Sequence, residues 1–411
     1  METKIKSLFS SYYYRLKEED IIVEELNKRE FAIWEFNSDT LTRHLAFENS
    51  LSLKKELIKK VPLHVYYSAA VYESPSMKQM EAKHLKYVDL IFDIDVDHIN
   101  TECKKVHDLW ICKNCKKIST GFVEKCDVCG SLTIDRKSFV CNECINFAKE
   151  EVFKLVDDFL ATDLGISKEE ILIVFSGNRG YHVHVFNEDF RKIDSKARNM
   201  IVDYIKGTSF KLYFHNFLVK NNYKFKGINS FGFSNRLSEK IYEELNKLDE
   251  EKLNKLGLNE KKVKSFLNKK QKYLHSLTKY KSDYSFLKIL EPLSKELLNK
   301  WISDITVNID ERVTVDIHRL IRLPNSLHGK TALRVCPLSY NELEKFEPYN
   351  DAIAITKGSA KVSFKIKREY PKITMKNEEY ELNQIEGKEI PIYLALYLYL
   401  NGYVTINELF L

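Results

Sequence analysis

The chain has 411 residues, with 65 Lys or Arg against 59 Asp or Glu and a formal charge of +6. That length exceeds what one core usually serves, so a main body with inserted or appended modules is expected. The small basic excess suits a polyanionic partner without identifying one. No run of 18 apolar residues occurs and Met1-Glu2-Thr3-Lys4 opens no signal-peptide core, which excludes a spanning helix or secretory leader and points to a soluble intracellular protein.

Residues 8–26 carry a helical pattern, with Tyr12, Tyr13, Tyr14 and Leu16 followed by acids, and residues 30–36 alternate as a strand. Residues 61–71 read as a further strand pair. In the next strand, 87–96, Asp93 and Asp95 stand at i and i+2, so both carboxylates project from one face of an apolar strand. Such neighbours repel each other unless a cation lies between them. Two Mg²⁺ or Mn²⁺ ions there would suit nucleotidyl transfer, one activating the attacking oxygen and the other steadying the leaving one. A surface strand with solvated acids is the competing reading. Asp89 and Asp97 read as flanking acids.

Seven of the eight cysteines fall between positions 103 and 144, six of them in Cys-x-x-Cys pairs. In an intracellular chain that clustering indicates metal rather than disulfides. Cys112, Cys115, Cys126 and Cys129 have the spacing of the two knuckles of a zinc ribbon. Cys141 and Cys144 remain, and the nearest unassigned soft ligands are Cys103 and His107, giving a second, outer set. The alternative leaves His107 on the surface and the outer pair without a metal. Both are closed four-ligand sets, hence structural. Cys336 reads as a core residue.

A helix over 145–160 and a strand over 171–175 lead to Ser176-Gly177-Asn178-Arg179-Gly180, a tight turn, and then a strand over 181–186. Glycines let backbone amides approach a phosphate, and Ser176 and Arg179 add donors. His182 and His184 alternate with Tyr181, Val183 and Val185 and so share a face. Residues 190–300 are lysine-rich and helically patterned, a helical subdomain with a solvated basic face. Strands are expected to resume over 306–321. There Asp316 would complete a three-carboxylate site with Asp93 and Asp95, while Arg319, Arg322, His328 and Lys330 would neutralise a triphosphate. Residues 361–411 form a small appended unit ending in an apolar helix over 390–400.

Together, Phe-Asp-Ile-Asp at 92–95, Ser-Gly-Asn-Arg-Gly-Tyr-His at 176–182 and Arg-Leu-Ile-Arg-Leu-Pro-Asn-Ser-Leu-His-Gly-Lys-Thr at 319–331 resemble the catalytic small subunit of archaeal and eukaryotic DNA primases in identity and order. Arg29-Glu30-Phe31 looks like the opening of that family's first strand, and zinc lies in the expected interval. The resemblance covers about residues 5–345. It implies that Asp93, Asp95 and Asp316 bind Mg²⁺ or Mn²⁺, that Ser176, Arg179, His182, Arg322 and His328 contact the nucleotide's phosphates, and that Arg29 lies at the active site. Asn178 stands where eukaryotic members have an arginine, which Lys330 could replace. The outer cysteine set resembles the family's zinc site, and the inner ribbon looks like an addition.

The implied fold is an α/β, mixed-sheet primase catalytic domain in three pieces, 1–102, 145–189 and 301–345. A zinc-binding module (103–144) and a helical subdomain (190–300) interrupt it, and a C-terminal unit (346–411) follows. The implied activity is de novo primer synthesis on single-stranded DNA from NTP and/or dNTP, with two structural zinc ions, a separate large subunit in a heterodimer and no membrane. The location is cytoplasmic and nucleoid-associated for an archaeal-type protein, nuclear for a eukaryotic one. A related polymerase acting in primer extension or repair would carry much the same motifs. A noncatalytic zinc-ribbon nucleic-acid-binding protein is the more distant alternative.

Overall fold

The computed structural model describes residues 1–99, 101–208, 224–228, 230–279, 281–291, 293–366 and 368–411. Runs of β-branched and aromatic residues pair as antiparallel strands. In chain order these are β1 (Arg29–Glu35), β2 (Thr42–Leu45), β3 (Pro62–Tyr72), β4 (Leu85–Val88), β5 (Leu90–Asp95), β6 (Leu109–Cys112), β7 (Ile118–Thr120), β8 (Ile134–Lys137), β9 (Ile171–Phe175), β10 (Gly180–Val185), β11 (Lys224–Lys226), β12 (Lys281–Asp283), β13 (Leu320–Arg322) and β14 (Cys336–Leu338). One sheet has the order β13-β3-β1-β2, with β4 also on β3; a second runs β14-β9-β10-β5. The fold is mixed α/β.

Contacts divide the described residues into two compact units, Met1–Phe153 with Ile166–Arg198 and Ile309–Leu411, and Lys154–Gly165 with Asn199–Asn308. Both sheets belong to the first. The chain leaves one for the other at Asp89, between β4 and β5. Asp89 is not merely a flanking acid. It is buried and pairs with Arg29 Nη2 at 2.7 Å and Arg191 Nε at 2.8 Å, so the crossing is fixed by a compensated charge. In the second unit the helices Gly232–Lys247 and Glu260–Leu277 pack together, burying Leu237, Ile241, Val263 and Phe266. Of the segment expected to be helical, 190–300, residues 209–223, 229, 280 and 292 lie outside the described residues. No helix among the described residues is long and apolar enough to cross a membrane.

Several elements differ from expectation. The first helix spans Glu2–Arg15 rather than 8–26, because the acids that follow form a turn in which Lys17 N donates to Asp20 Oδ2 at 2.9 Å. The strand pair expected over 61–71 is one long strand, β3, over Pro62–Tyr72. The alternating pattern over 306–321 conceals a short helix, Glu311–Val315, whose N-cap Asp310 accepts from Arg312 N. Near the C-terminus the apolar helix Ile392–Leu400 is followed by a strand, Val404–Phe410, which pairs with Ser359–Phe364. The unit therefore ends in a sheet strand.

Candidate active site and metal centres

Antiparallel pairing of β5 with β10 sets Asp93 opposite His182 and Asp95 opposite Gly180. A side chain at 180 is impossible, since its Cβ would stand 1.8 Å from Ile94 O. Gly177 takes φ +80, and its Cβ would meet His328 Cβ at 2.8 Å. The Ser176–Gly180 turn is thereby pressed against the 323–331 loop, and Thr331 Oγ1 donates to Gly177 O. From the other sheet, β13 pairs with β3 and sets Arg322 opposite Tyr66. The two sheets enclose a cleft of about 260 Å³ whose lining includes Asp93, Asp95, Ser176, Arg179, His182, Arg322, His328 and Lys330, with Tyr66, Asn178 and Arg319.

The cleft sets acids against cations. Burial, then the charges of Asp95 and Asp310, push the Asp93 carboxyl up to about 7, against the opposing pull of Arg319 and Arg322. Burial and the nearby cations hold His182 and His328 well below the usual imidazole range, so both are neutral at pH 7. His328 Nδ1 accepts from Lys330 N at 3.1 Å, which leaves the proton on Nε2. Arg179 reaches Asp95 Oδ2 at 3.7 Å and also pairs with Asp97.

Two of the expected site residues stand outside the cleft lining. Asp316 is exposed, caps its own turn by accepting from His318 N at 2.9 Å, and is not among the residues lining the cleft. Asp310, likewise outside the cleft lining, is the acid that stands beside Asp93: its N–H donates to Asp93 O at 2.9 Å and its charge helps to raise the Asp93 carboxyl. Its signal in the sequence is an acid ahead of Glu311, a helix-start pattern that the strand-like alternation of the segment masks. Arg29 also lies outside the cleft lining. Its guanidinium is buried and committed to Asp89 and to the carbonyls of Glu24, Ser68 and Ala69. His64, which no motif indicated, accepts at Nδ1 from Arg322 Nη1 at 2.8 Å and from Gly329 N at 3.1 Å. It ties one cation of the cleft to the backbone of the loop carrying two more groups.

The cysteines form two sets. Cys112, Cys115, Cys126 and Cys129 converge, as do Cys103, His107, Cys141 and Cys144, with the ligand atoms of each set within 4.8 Å of one another. In the inner ribbon Lys116 (φ +63) and Gly130 (φ +68) follow the second cysteine of each knuckle and turn their N–H groups back to Cys112 O and Cys126 O. In the outer set His107 is buried rather than on the surface. Its Nδ1 lies 2.8 Å from Asp108 Oδ1 and its Nε2 3.3 Å from Cys144 Sγ, the second-partner arrangement that orients a metal-binding imidazole. Four soft donors at these separations fit tetrahedral zinc.

A carboxylate pair facing a cationic cleft in a mixed α/β body is the equipment of a nucleotidyltransferase. Residues 133–340 match the family described as the DNA primase small subunit. The chain is 32% identical over 411 residues to the DNA primase small subunit PriS of Nitrosopumilus maritimus, covering 98% of this chain and 99% of that one. It is 32% identical to the same-named protein of Picrophilus torridus (96% and 95% covered) and 33% identical to that of Pyrobaculum islandicum (96% and 96%). The chain belongs to the DNA primase small subunit family, the catalytic nucleotidyltransferase subunit of DNA primases.

Proposed function

We propose that this protein makes short primers de novo on single-stranded DNA by two-metal-ion nucleotidyl transfer with release of pyrophosphate. The observation that carries the reading is the pair Asp93 and Asp95 with Asp310 beside it, across a cleft from Arg322, His328 and Lys330. Hard oxygen donors, one of them pushed up to about 7 by burial and then by the acids beside it, fit a divalent cation. Asp93, Asp95 and Asp310 would hold Mg²⁺ or Mn²⁺, which supplies activation of a 3′-hydroxyl and charge neutralisation at the leaving group. Arg322, Lys330 and Arg179 offset the charge of the triphosphate. Ser176 and the neutral imidazoles of His182 and His328 donate to its oxygens without titrating near pH 7. His64 holds Arg322 and Gly329 in register, so positioning costs less at each turnover.

Around this centre we read a primase catalytic domain interrupted by a zinc-binding module and a helical subdomain, with two structural zinc ions. Its substrates are a single-stranded template and NTP or dNTP. A large subunit completes a heterodimer in the cytoplasm, beside the DNA. The test is synthesis on unprimed single-stranded DNA with each nucleotide pool, with and without a large subunit. New oligonucleotides that vanish in Asp93→Ala support the reading. Extension of preformed primers alone moves it to the repair or extension class, and unchanged synthesis in Asp93→Ala overturns it.

A further inference from the structure

A second cavity, of about 690 Å³, opens beside the catalytic cleft and shares Tyr66, Arg322 and Lys330 with it. Its size is that of a small-ligand site. Besides Tyr66, the aromatic side chains of Trp34, Phe36 and Tyr399 line it. Ile5, Leu63 and Leu400 add an apolar surface. Trp34 is fixed by donating from Nε1 to Ser38 O at 2.6 Å and by edge contact with His64 at 6.3 Å. On the cleft side stand Arg322 and Lys330, and Lys365 adds a third cation. Among the described residues neither Lys330 nor Lys365 is in an ion pair, and both are exposed. Glu2 is the one acid of the lining. Apart from Tyr66, Arg322, Lys330 and the positioning residue His64, this lining is not used by the carboxylate centre.

We infer that this cavity binds a nucleoside mono- or diphosphate, base on the aromatic wall and phosphate on Lys365, Lys330 and Arg322. A flat aromatic anion matches both halves of the lining, since base-on-aromatic stacking is tolerant of base identity and the cations receive phosphate oxygens. Glu2 accepts from a base amino group. Because Arg322 and Lys330 belong to both spaces, occupancy here withdraws cations from a substrate triphosphate in the cleft, and the nucleotide inhibits. This consequence rests on the nucleotidyl-transfer reading. Binding itself does not.

The experiment titrates the full chain with GMP and with AMP, without divalent cation, and follows the tryptophan emission that Trp34→Phe removes. Saturable quenching is expected in the parent and none in Trp34→Phe. Lys365→Glu, at an exposed position, should weaken binding about tenfold, the loss of one charge-assisted contact. In primer extension the same variant should raise the GMP inhibition constant about tenfold while leaving kcat and KM unchanged without GMP. Absence of quenching, quenching that persists in Trp34→Phe, or equal affinity in Lys365→Glu overturns the site. Quenching in a chain that does not polymerise would uphold the cavity and reject the catalytic reading instead.

Discussion

At Asp310 charge and capping coincide, and one substitution separates them. Asparagine caps a helix as well as aspartate does, so Asp310→Asn keeps the turn over Glu311–Val315 and removes only the charge next to Asp93. Primer extension should fall by about 100-fold or more. Asp316→Asn, on an exposed turn, should stay within about twofold; equal losses would put both acids at the centre. Asp93 yields a second expectation, read from stability. Its folded-state carboxyl sits up at about 7, above its ordinary 3.8, so between those values the native state binds more protons than the unfolded one. Stability therefore falls as pH rises from about 4 to 7. Thermal melts without divalent cation should show that decline, Asp93→Asn should flatten it, and Mg²⁺ or Mn²⁺ should oppose it most above pH 7. A decline of equal size in Asp93→Asn would assign it to other groups.

Elements were legible where a period or a spacing was undisturbed. Strands β9 and β10 lie within a residue of their expected bounds because alternation and two glycines mark them, whereas the single strand expected over 87–96 divides at Asp89 into the end of β4 and β5. The cysteine spacings likewise led to the two sets that the fold brings together. Val313-Thr314-Val315-Asp316-Ile317-His318 mimics a strand, yet a single capping carboxylate turns its first part into a helix, and a one-turn helix is too short for a period to reveal. The loss of Asp310 from the expected site followed from that one misread element. The cysteine elements differ in what they support. The ribbon's own core is little more than Trp110, Cys112 and Cys126 with Val123 and Ile134, too small to fold without its metal. The outer set joins the segment just after β5 to the helix Asn142–Lys154. Cys126→Ser and Cys144→Ser should each lower bound zinc from two ions per chain to one by elemental analysis. Only Cys144→Ser should also reduce polymerisation and lower the Tm, by about 5 °C or more. An unaffected Tm there would mean that the outer set bears no load on the carboxylate strand.

Across the whole molecule the cleft is assembled from segments far apart in sequence, and that part was the least legible. Tyr66 and His64 come from β3, Asp93 from β5, His182 from β10 and Arg322 from β13, and nothing local in β3 announces that it borders the cleft. The buried Arg29–Asp89 pair has the same origin: the motif was visible, but its partner depends on where the chain changes sheets. The same assembly places two unlike sets of candidate cation ligands in the chain, closed sulfur-rich sets and an open oxygen-lined cleft. Hard carboxylates exchange Mg²⁺ readily, whereas closed thiolate sets hold zinc and stabilise the fold through it. Brief treatment with EDTA followed by gel filtration should therefore abolish polymerisation while most zinc remains, and added Mg²⁺ or Mn²⁺ should restore it. Prolonged treatment with a zinc-selective chelator should strip both sets and lower the Tm, leaving a loss that Mg²⁺ does not reverse. If Mg²⁺ fails to restore activity after the brief treatment although zinc is retained, the oxygen-lined cleft is not the seat of the catalytic ions.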